Sequence, residues 1–134
     1  MKKIVVCFSV LVGLLFVGCK KESSDYAGRY IGTLESQEKT QEDVVLLFEA
    51  DPSNSDVLLF AGCLLTHEEG GHFSVTEKKA IMEIVNMLYP NAMSVGVLNP
   101  SAFFVFEKKE LTMQLQYNTV DSDRITIRFI GKKK

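Results

Sequence analysis

The sequence predicts a mainly β protein in which an antiparallel meander closes into a small barrel, with one amphipathic helix near residues 76–89. Seven segments alternate apolar with polar residues or form short apolar runs, and turn-forming residues separate them. One segment instead repeats its apolar residues at helical spacing. The alternative fold is α+β, an open antiparallel sheet packed by the helix. A chain of 134 residues with 46% hydrophobic and 24% charged residues suits a single globular domain.

The N-terminus has the pattern of an export signal. Lys2 and Lys3 precede Ile4–Val17, a run of 14 residues without a charge. This run is shorter than the about 20 residues that a membrane-spanning helix needs. The following segment, Phe16-Val17-Gly18-Cys19, resembles the lipobox of bacterial lipoproteins, in which a small residue permits cleavage and the cysteine is acylated. The resemblance predicts lipid attachment at Cys19.

These features divide the chain into a lipoprotein signal peptide (1–18), a polar tether (19–25) and a single β-rich domain (26–134). The predicted partner is therefore a membrane, reached through the lipid anchor on Cys19. Lys20 stands where an Asp would be expected in a lipoprotein retained at an inner membrane, so the resemblance predicts a bacterial cell envelope location at the outer membrane. Cleavage removes two lysines and no acidic residue, which lowers the net charge from -2 to -4. Such a charge argues against a nucleic-acid partner.

Three predicted strands occupy the first half of the domain. The first, residues 26–34, carries Gly28 and Gly32 on one face, which indicates strong curvature or the close approach of another backbone. The second covers residues 42–50, with Val44, Leu46 and Phe48 on one face. The third, residues 56–65, is apolar on both faces, so both sides are expected to be covered.

The middle of the chain predicts the helix. From Thr76 onward, one apolar stripe repeats at intervals of three and four residues. Ser74 or Thr76 is expected to cap its start, because Ser74 and Glu77 have the capping-box spacing. Tyr89 should end the helix because Pro90 disfavours helical geometry in the residue before it.

Four further strands are predicted after the helix, over residues 93–98, 102–108, 111–118 and 125–130. Asn99-Pro100-Ser101 is expected to turn the chain between the first two. Phe103 and Phe104 are expected to contact a ligand if the barrel contains a pocket.

Two segments resemble the calycin arrangement of lipocalins. In that family, a Gly-x-Trp motif opens the barrel and an arginine of the last strand lies over the tryptophan ring. Here Gly28-Arg29-Tyr30 and Arg128 occupy comparable positions, with Tyr30 in place of the tryptophan. Together with the lipobox, the pattern is similar to small lipocalin-like lipoproteins of Bacteroidetes. The resemblance implies that Gly28, Tyr30 and Arg128 help to close the barrel.

Metal-binding residue types cluster only in the segment from His67 to His72, which contains both histidines of the chain. The two histidines are five residues apart and two glycines separate them, so a helical zinc motif is excluded. We expect a solvated turn here, with His67 and His72 as weak metal candidates and no cofactor. Cys63 lies in an apolar run without positive neighbours and is expected to be a buried hydrophobe.

No motif for catalysis appears. The chain has no Gly-x-Ser-x-Gly sequence, and its paired carboxylates lie in turn-like polar segments. We therefore expect a protein that is not an enzyme, and that binds a small apolar ligand without chemistry. The alternative is a protein-interaction module of the cell envelope, such as an inhibitor, an immunity factor or an assembly accessory.

Overall fold

The computed structural model describes residues 23–134, which form a nearly closed barrel of antiparallel strands. The predicted fold class is confirmed, and the alternative of an open sheet is not observed. The predicted signal peptide, Cys19 and most of the tether lie outside the described residues. Nine strands are present: β1 Gly28–Glu35, β2 Thr40–Asp51, β3 Asn54–Phe60, β4 Cys63–Leu64, β5 Thr66–Glu69, β6 His72–Val75, β7 Leu98–Glu107, β8 Glu110–Asn118 and β9 Arg124–Lys133. The helices are α1 Ser23–Tyr26, α2 Lys78–Leu88 and α3 Ala92–Val95.

The strands follow one another around the barrel as a meander. The order is β4-β3-β2-β1-β9-β8-β7-β6-β5, so the first and last strands pair in the middle of the sheet. The two edge strands, β4 and β5, are consecutive in the chain and only Leu65 separates them. The Leu65 amide still donates to the Leu58 carbonyl at 2.9 Å, whereas β5 pairs with β6. The seam of the barrel therefore lies between β4 and β5.

Glycine permits the close contact of β1 with β9. Gly32 lies opposite Gly131 in the register of the two strands. A Cβ atom on Gly32 would lie 1.9 Å from the Ile130 carbonyl oxygen, a distance that no side chain can occupy. The predicted close backbone approach in the first strand is therefore confirmed at Gly32.

Aromatic side chains fill the barrel interior. Phe48 is the centre of the cluster, with ring centroids 5.0–5.8 Å from those of its four aromatic neighbours. Such filling is typical of small barrels. The neighbours are Tyr30, Phe60, Phe104 and Phe106.

Helix α2 covers one end of the barrel with the predicted apolar stripe, Ala80, Ile81, Ile84, Val85 and Leu88, all of which are buried. The predicted capping box is not formed. Glu77 is the N-cap residue, without a side-chain cap hydrogen bond. Ser74 lies in β6, where its hydroxyl donates to Glu68 Oε2 at 2.8 Å. The helix ends at Tyr89, as predicted from Pro90.

Two predicted elements after α2 are wrong. Ala92–Val95 forms the short helix α3 rather than the start of a strand. Strand β7 begins at Leu98 and continues through the predicted turn at residues 99–101. A register shift between Leu98 and Ser101, with Asn99 at a φ of 51°, accommodates Pro100, which cannot donate a ladder hydrogen bond.

Two predicted boundaries also change before α2. The third predicted strand is broken at Ala61 and Gly62, which both have positive φ and turn β3 into β4. The predicted turn at 66–72 is a hairpin, because β5 and β6 pair across Gly70 and Gly71. Among the described residues, no helix has the length and apolar character that crossing a bilayer requires.

Candidate functional site: an open cleft at one end of the barrel

The two ends of the barrel are closed differently. At one end, the C-terminal part of α2 lies against the β1–β2 turn: Lys39 Nζ donates to the Leu88 carbonyl at 3.0 Å. At the other end, α1 leads into the start of β1, beside the end of β9 and the β7–β8 turn. We call these the α2 end and the α1 end.

Helix α1 crosses its end of the barrel as a single turn. Its backbone lies near β2 and β3. The Tyr26 ring packs against Phe73 and Phe106, with centroids 5.7 and 5.4 Å away. The Tyr30 hydroxyl donates to the Tyr26 carbonyl at 2.8 Å. One aromatic ring and a few hydrogen bonds therefore hold this short element in place.

Beside α1, an open cleft of about 780 Å³ remains. Binding sites for small molecules commonly have volumes of roughly 300–1,000 Å³. The cleft lies between α1, the β7–β8 turn and the end of β9. Its lining residues are Asp25, Tyr26, Tyr30, Phe106, Glu107, Lys108, Lys109 and Lys133.

The base of the cleft consists of Tyr26, Tyr30 and Phe106, which we call the aromatic floor. Tyr30 and Phe106 are buried, with ring centroids 5.4 Å apart. Burial, reinforced by Tyr26, raises the pKa of Tyr30 to about 12. Burial also raises the pKa of Tyr26, and the nearby Asp25 charge adds to this shift. Both phenols are therefore neutral at physiological pH.

The edge of the cleft carries Lys108, Lys109 and Lys133, which we call the lysine rim. Lys108 and Lys109 are exposed at the centre of the β7–β8 turn, with φ of 52° and 67°. Positive φ at both central residues is the pattern of a type I′ turn, which favours Asn-Gly. The Lys133 amide donates to the Lys109 carbonyl at 2.8 Å, so this turn is joined to β9.

Two smaller clefts differ in lining. The cleft at the α2 end has about 280 Å³ and lies among Lys39, Tyr89 and Tyr117. A groove of about 340 Å³ crosses the outer face of β7, β8 and β9. Phe103 and Ile130 line this groove and are 55% and 61% exposed.

The residues predicted to close the barrel are only partly brought together. Strands β1 and β9 do pair, and Gly28 lies against the Lys133 side chain at the start of β1. Tyr30 is buried inside the barrel, whereas Arg128 is exposed and lies opposite Glu35 and Gln114. The structure does not place Arg128 over the Tyr30 ring, because the two side chains lie on opposite faces of the wall.

Of the two phenylalanines expected to face a pocket, only Phe104 lies inside the barrel. Phe104 is fully buried and packs against Phe48 and Phe60, whereas Phe103 points outward. Neighbouring residues of a strand face opposite sides, so the pair could not share an interior pocket.

The histidine candidates lie on the β5–β6 hairpin. The His67 ring stacks on Phe73 at 4.7 Å, and its Nε2 lies 2.7 Å from the Gly70 carbonyl oxygen. His72 is exposed on β6. Within residues 23–134, no group of three His, Cys, Asp or Glu side chains is arranged to hold a metal ion.

Cys63 is a free, buried thiol, which confirms the prediction of a buried hydrophobe. Burial raises its pKa, and a hydrogen bond and the charge of Glu77 act in the same direction. The thiol is therefore kept protonated, unlike a reactive cysteine.

Sequence reasoning missed the lysine rim and the role of Tyr26. A tight reversal is visible near Lys109 and Glu110, but the alternation around it does not reveal that α1 and β9 approach that turn. Lys133 is separated from Lys109 by 24 residues and appears in the sequence only as part of a solvated tail. Comparisons with protein-family models, curated proteins and solved structures found no match to this chain.

Proposed function

We propose that this protein is a lipid-anchored bacterial envelope lipoprotein that binds a small, partly apolar ligand in the cleft at the α1 end, without catalysing a reaction. The observation that carries this proposal is the open cleft of about 780 Å³ above the aromatic floor. The resemblance to lipocalin-like lipoproteins of Bacteroidetes supports the binding class. The proposed ligand, however, lies at the mouth of the barrel and not inside a hollow barrel.

The filled interior is the reason for placing the ligand at the mouth. Phe48, Phe60 and Phe104 occupy the barrel axis with centroids 5.0–6.0 Å apart. A ligand inside the barrel would have to displace these rings, which would create a large packing cost. The aromatic floor offers apolar contact without such a displacement, since Tyr26 is only partly buried.

The proposed anchor brings the same end toward a membrane. Cys19 precedes Ser23, the first residue of α1, by four positions. Four residues span at most about 14 Å. A protein acylated at Cys19 would therefore present the α1 end, with the cleft, close to the bilayer that carries the anchor.

The anchor is tested by fractionation and mass measurement of the full chain expressed in a bacterial host. We expect Cys19→Ser to abolish acylation and membrane retention. The matched control is Cys7→Ser, which changes a cysteine of the predicted signal peptide and should leave both unchanged. Equal membrane retention of the Cys19→Ser and parent chains, with no acyl mass on either, would contradict lipid anchoring.

The ligand site is tested on residues 20–134, since the buried core lies entirely within residues 30–129. The probe is N-phenyl-1-naphthylamine, an uncharged apolar fluorophore, used beside native mass spectrometry of the purified chain. We expect Tyr26→Ala to lower the affinity by about tenfold, because one of the aromatic contacts is lost. Tyr89→Ala, a half-buried tyrosine at the α2 end, should leave binding unchanged.

Binding that survives Tyr26→Ala with the fold intact by circular dichroism would contradict a site at the α1 end. Binding lost equally in Tyr26→Ala and Tyr89→Ala would also contradict it, because the two tyrosines lie at opposite ends.

One observation favours the second candidate, a protein-interaction module of the envelope. Phe103 and Ile130 are large apolar side chains exposed on the outer faces of β7 and β9, the two strands that flank β8, beside Arg128. Exposed apolar patches commonly mark interaction sites. A photo-crosslinker at position 103, compared with one at exposed Lys78, would support this candidate if it captured one envelope protein that Ile130→Ser then released.

A further inference from the structure

The lysine turn of the cleft has an unfavourable backbone conformation. Lys108 and Lys109 both have positive φ, which costs an L-residue energy because Cβ approaches the carbonyl oxygen. Asn-Gly would form the same turn with less strain. Because Glu107 and Glu110 pair beside it and continue the ladder, the hairpin itself does not need lysine at these positions. The two ammonium groups thus stand at positions where the backbone conformation favours other residues.

A third lysine faces the same cleft. Lys133 lies on β9, is half-buried, and its Nζ donates to the Asp25 carbonyl oxygen at 3.1 Å. An ammonium group has three donors, so this bond leaves two of them for a ligand. The charged groups that face the three lysines are the carboxylates of Asp25 and Glu107, which also line the cleft. The lysine rim therefore carries a net positive charge in a chain whose overall charge is negative.

We propose that the cleft binds an anionic amphiphile, with its phosphate group on the lysine rim and its apolar part on the aromatic floor. This inference rests on the proposed function, since it names the ligand class of the same site. Lysine is a common phosphate ligand that acts as a point charge with rotatable donors. The rim and the floor are adjacent, so one molecule with a charged head and an acyl chain satisfies both.

A phosphate group could come from free phosphate or from a lipid headgroup. The aromatic floor favours the headgroup, because inorganic phosphate has no apolar part to pack on the partly exposed Tyr26 ring. The cleft volume of about 780 Å³ is also far larger than a small inorganic anion requires. The location of the cleft also favours a lipid headgroup, since the proposed anchor holds the α1 end near a bilayer.

The test uses three probes on residues 20–134 in low salt. Dihexanoylphosphatidylglycerol carries one negative charge, dihexanoylphosphatidylcholine has the same chains without net charge, and sodium phosphate lacks chains. Calorimetric titration below the micelle concentration gives the three affinities. We expect the anionic lipid to bind about tenfold more tightly than the zwitterionic lipid, and inorganic phosphate to bind more weakly than either. Added salt should reduce this preference.

The decisive variant is Lys108→Asn with Lys109→Gly. It removes both charges and supplies the residues that a type I′ turn prefers, so we expect its thermal midpoint to rise by a few degrees. Its affinity for the anionic lipid should fall by about tenfold, to the level of the zwitterionic lipid. The matched control is Lys78→Gln with Lys79→Gln, an exposed lysine pair on α2 at the other end of the domain. The control should keep the preference for the anionic lipid.

Three results would overturn the inference. Equal affinity for the two lipids would remove the role of the lysine rim, while fluorophore binding that depends on Tyr26 would leave the proposed function standing. Phosphate binding as tight as lipid binding would remove the aromatic floor from the ligand class. A preference that persists in the Lys108/Lys109 variant and disappears in the Lys78/Lys79 control would place the anion elsewhere. If the parent chain binds neither the lipids nor the fluorophore, the proposed function itself is rejected.

Discussion

The α2 end and the α1 end of this barrel are closed by helices that differ in length and in the number of side chains they bury. Helix α2 has eleven residues and buries five apolar side chains in the core. Helix α1 has four residues and contributes one partly buried ring with a few hydrogen bonds. The cleft beside α2 has about 280 Å³, whereas the one beside α1 has about 780 Å³.

The difference shows how a barrel with a filled interior can still have an open cleft at one end. A long amphipathic helix excludes water by the area it buries, at about 25 cal/mol per Å² of apolar surface. A single helical turn cannot bury such an area, so it leaves the adjacent side chains accessible. Binding sites commonly coincide with such less stable regions. The end closed by the shorter helix is therefore the end with the larger cleft.

The largest loss of stability is expected from a substitution at the α2 end. Ile84 is fully buried on α2, so Ile84→Ala removes buried methylene groups and leaves a cavity. We expect it to lower the free energy of unfolding by about 3 kcal/mol. Urea denaturation followed by circular dichroism measures the loss. The matched control, Asn86→Ala, changes an exposed residue of the same helix and should remain within about 0.5 kcal/mol of the parent.

A smaller loss is expected at the α1 end. Tyr26→Ala removes the ring contacts with Phe73 and Phe106, and these are worth about 0.5–1.5 kcal/mol each. We expect a total loss of about 1–2 kcal/mol by the same urea measurement, because the ring is only partly buried. A loss as large as that of Ile84→Ala would contradict the difference between the two ends.

The sequence predicts the α2 end better than the α1 end. The stripe of α2 repeats at 3.6 residues, and periodicity of that kind depends only on which residues must be buried. The end of the helix was equally predictable, because Pro90 acts on its neighbour through local sterics. Alternation in β8 likewise predicted its buried face, including Leu115 and Tyr117.

The α1 end depends on contacts that no local sequence pattern predicts. Most of helix α1 falls in the segment predicted as a polar tether. Its position depends on a hydrogen bond from Tyr30, four residues after Tyr26, and on one from Lys133, which is distant in sequence. The outward direction of the Phe103 side chain is also not predicted from the sequence, for a related reason. Three phenylalanines in a four-residue run hide the alternation, so only the strand register shows that Phe104 and Phe106 share the interior.

The last and smallest effect is a dependence on alkaline pH that Tyr30 links to the α1 end. Burial raises the pKa of Tyr30 to about 12, whereas an unfolded tyrosine ionises near 10. The neutral phenol is therefore favoured by the folded state, and its contribution is complete below pH 10 and is lost as the pH rises from about 10 to about 12. The same ionisation would remove the proton that Tyr30 donates to the Tyr26 carbonyl.

Tyr30→Phe tests this link between ionisation and α1. At pH 8 the variant should be less stable by about 1 kcal/mol, because one hydrogen bond is lost. Between pH 9 and 11.5 it should lose less stability than the parent, since phenylalanine cannot ionise. Tyr26 and Tyr117, whose pKa values burial also raises, are present in both chains and contribute equally to both curves. Urea midpoints measured along this pH series give the difference, and parallel curves would show that Tyr30 does not couple alkaline pH to the closure of the α1 end.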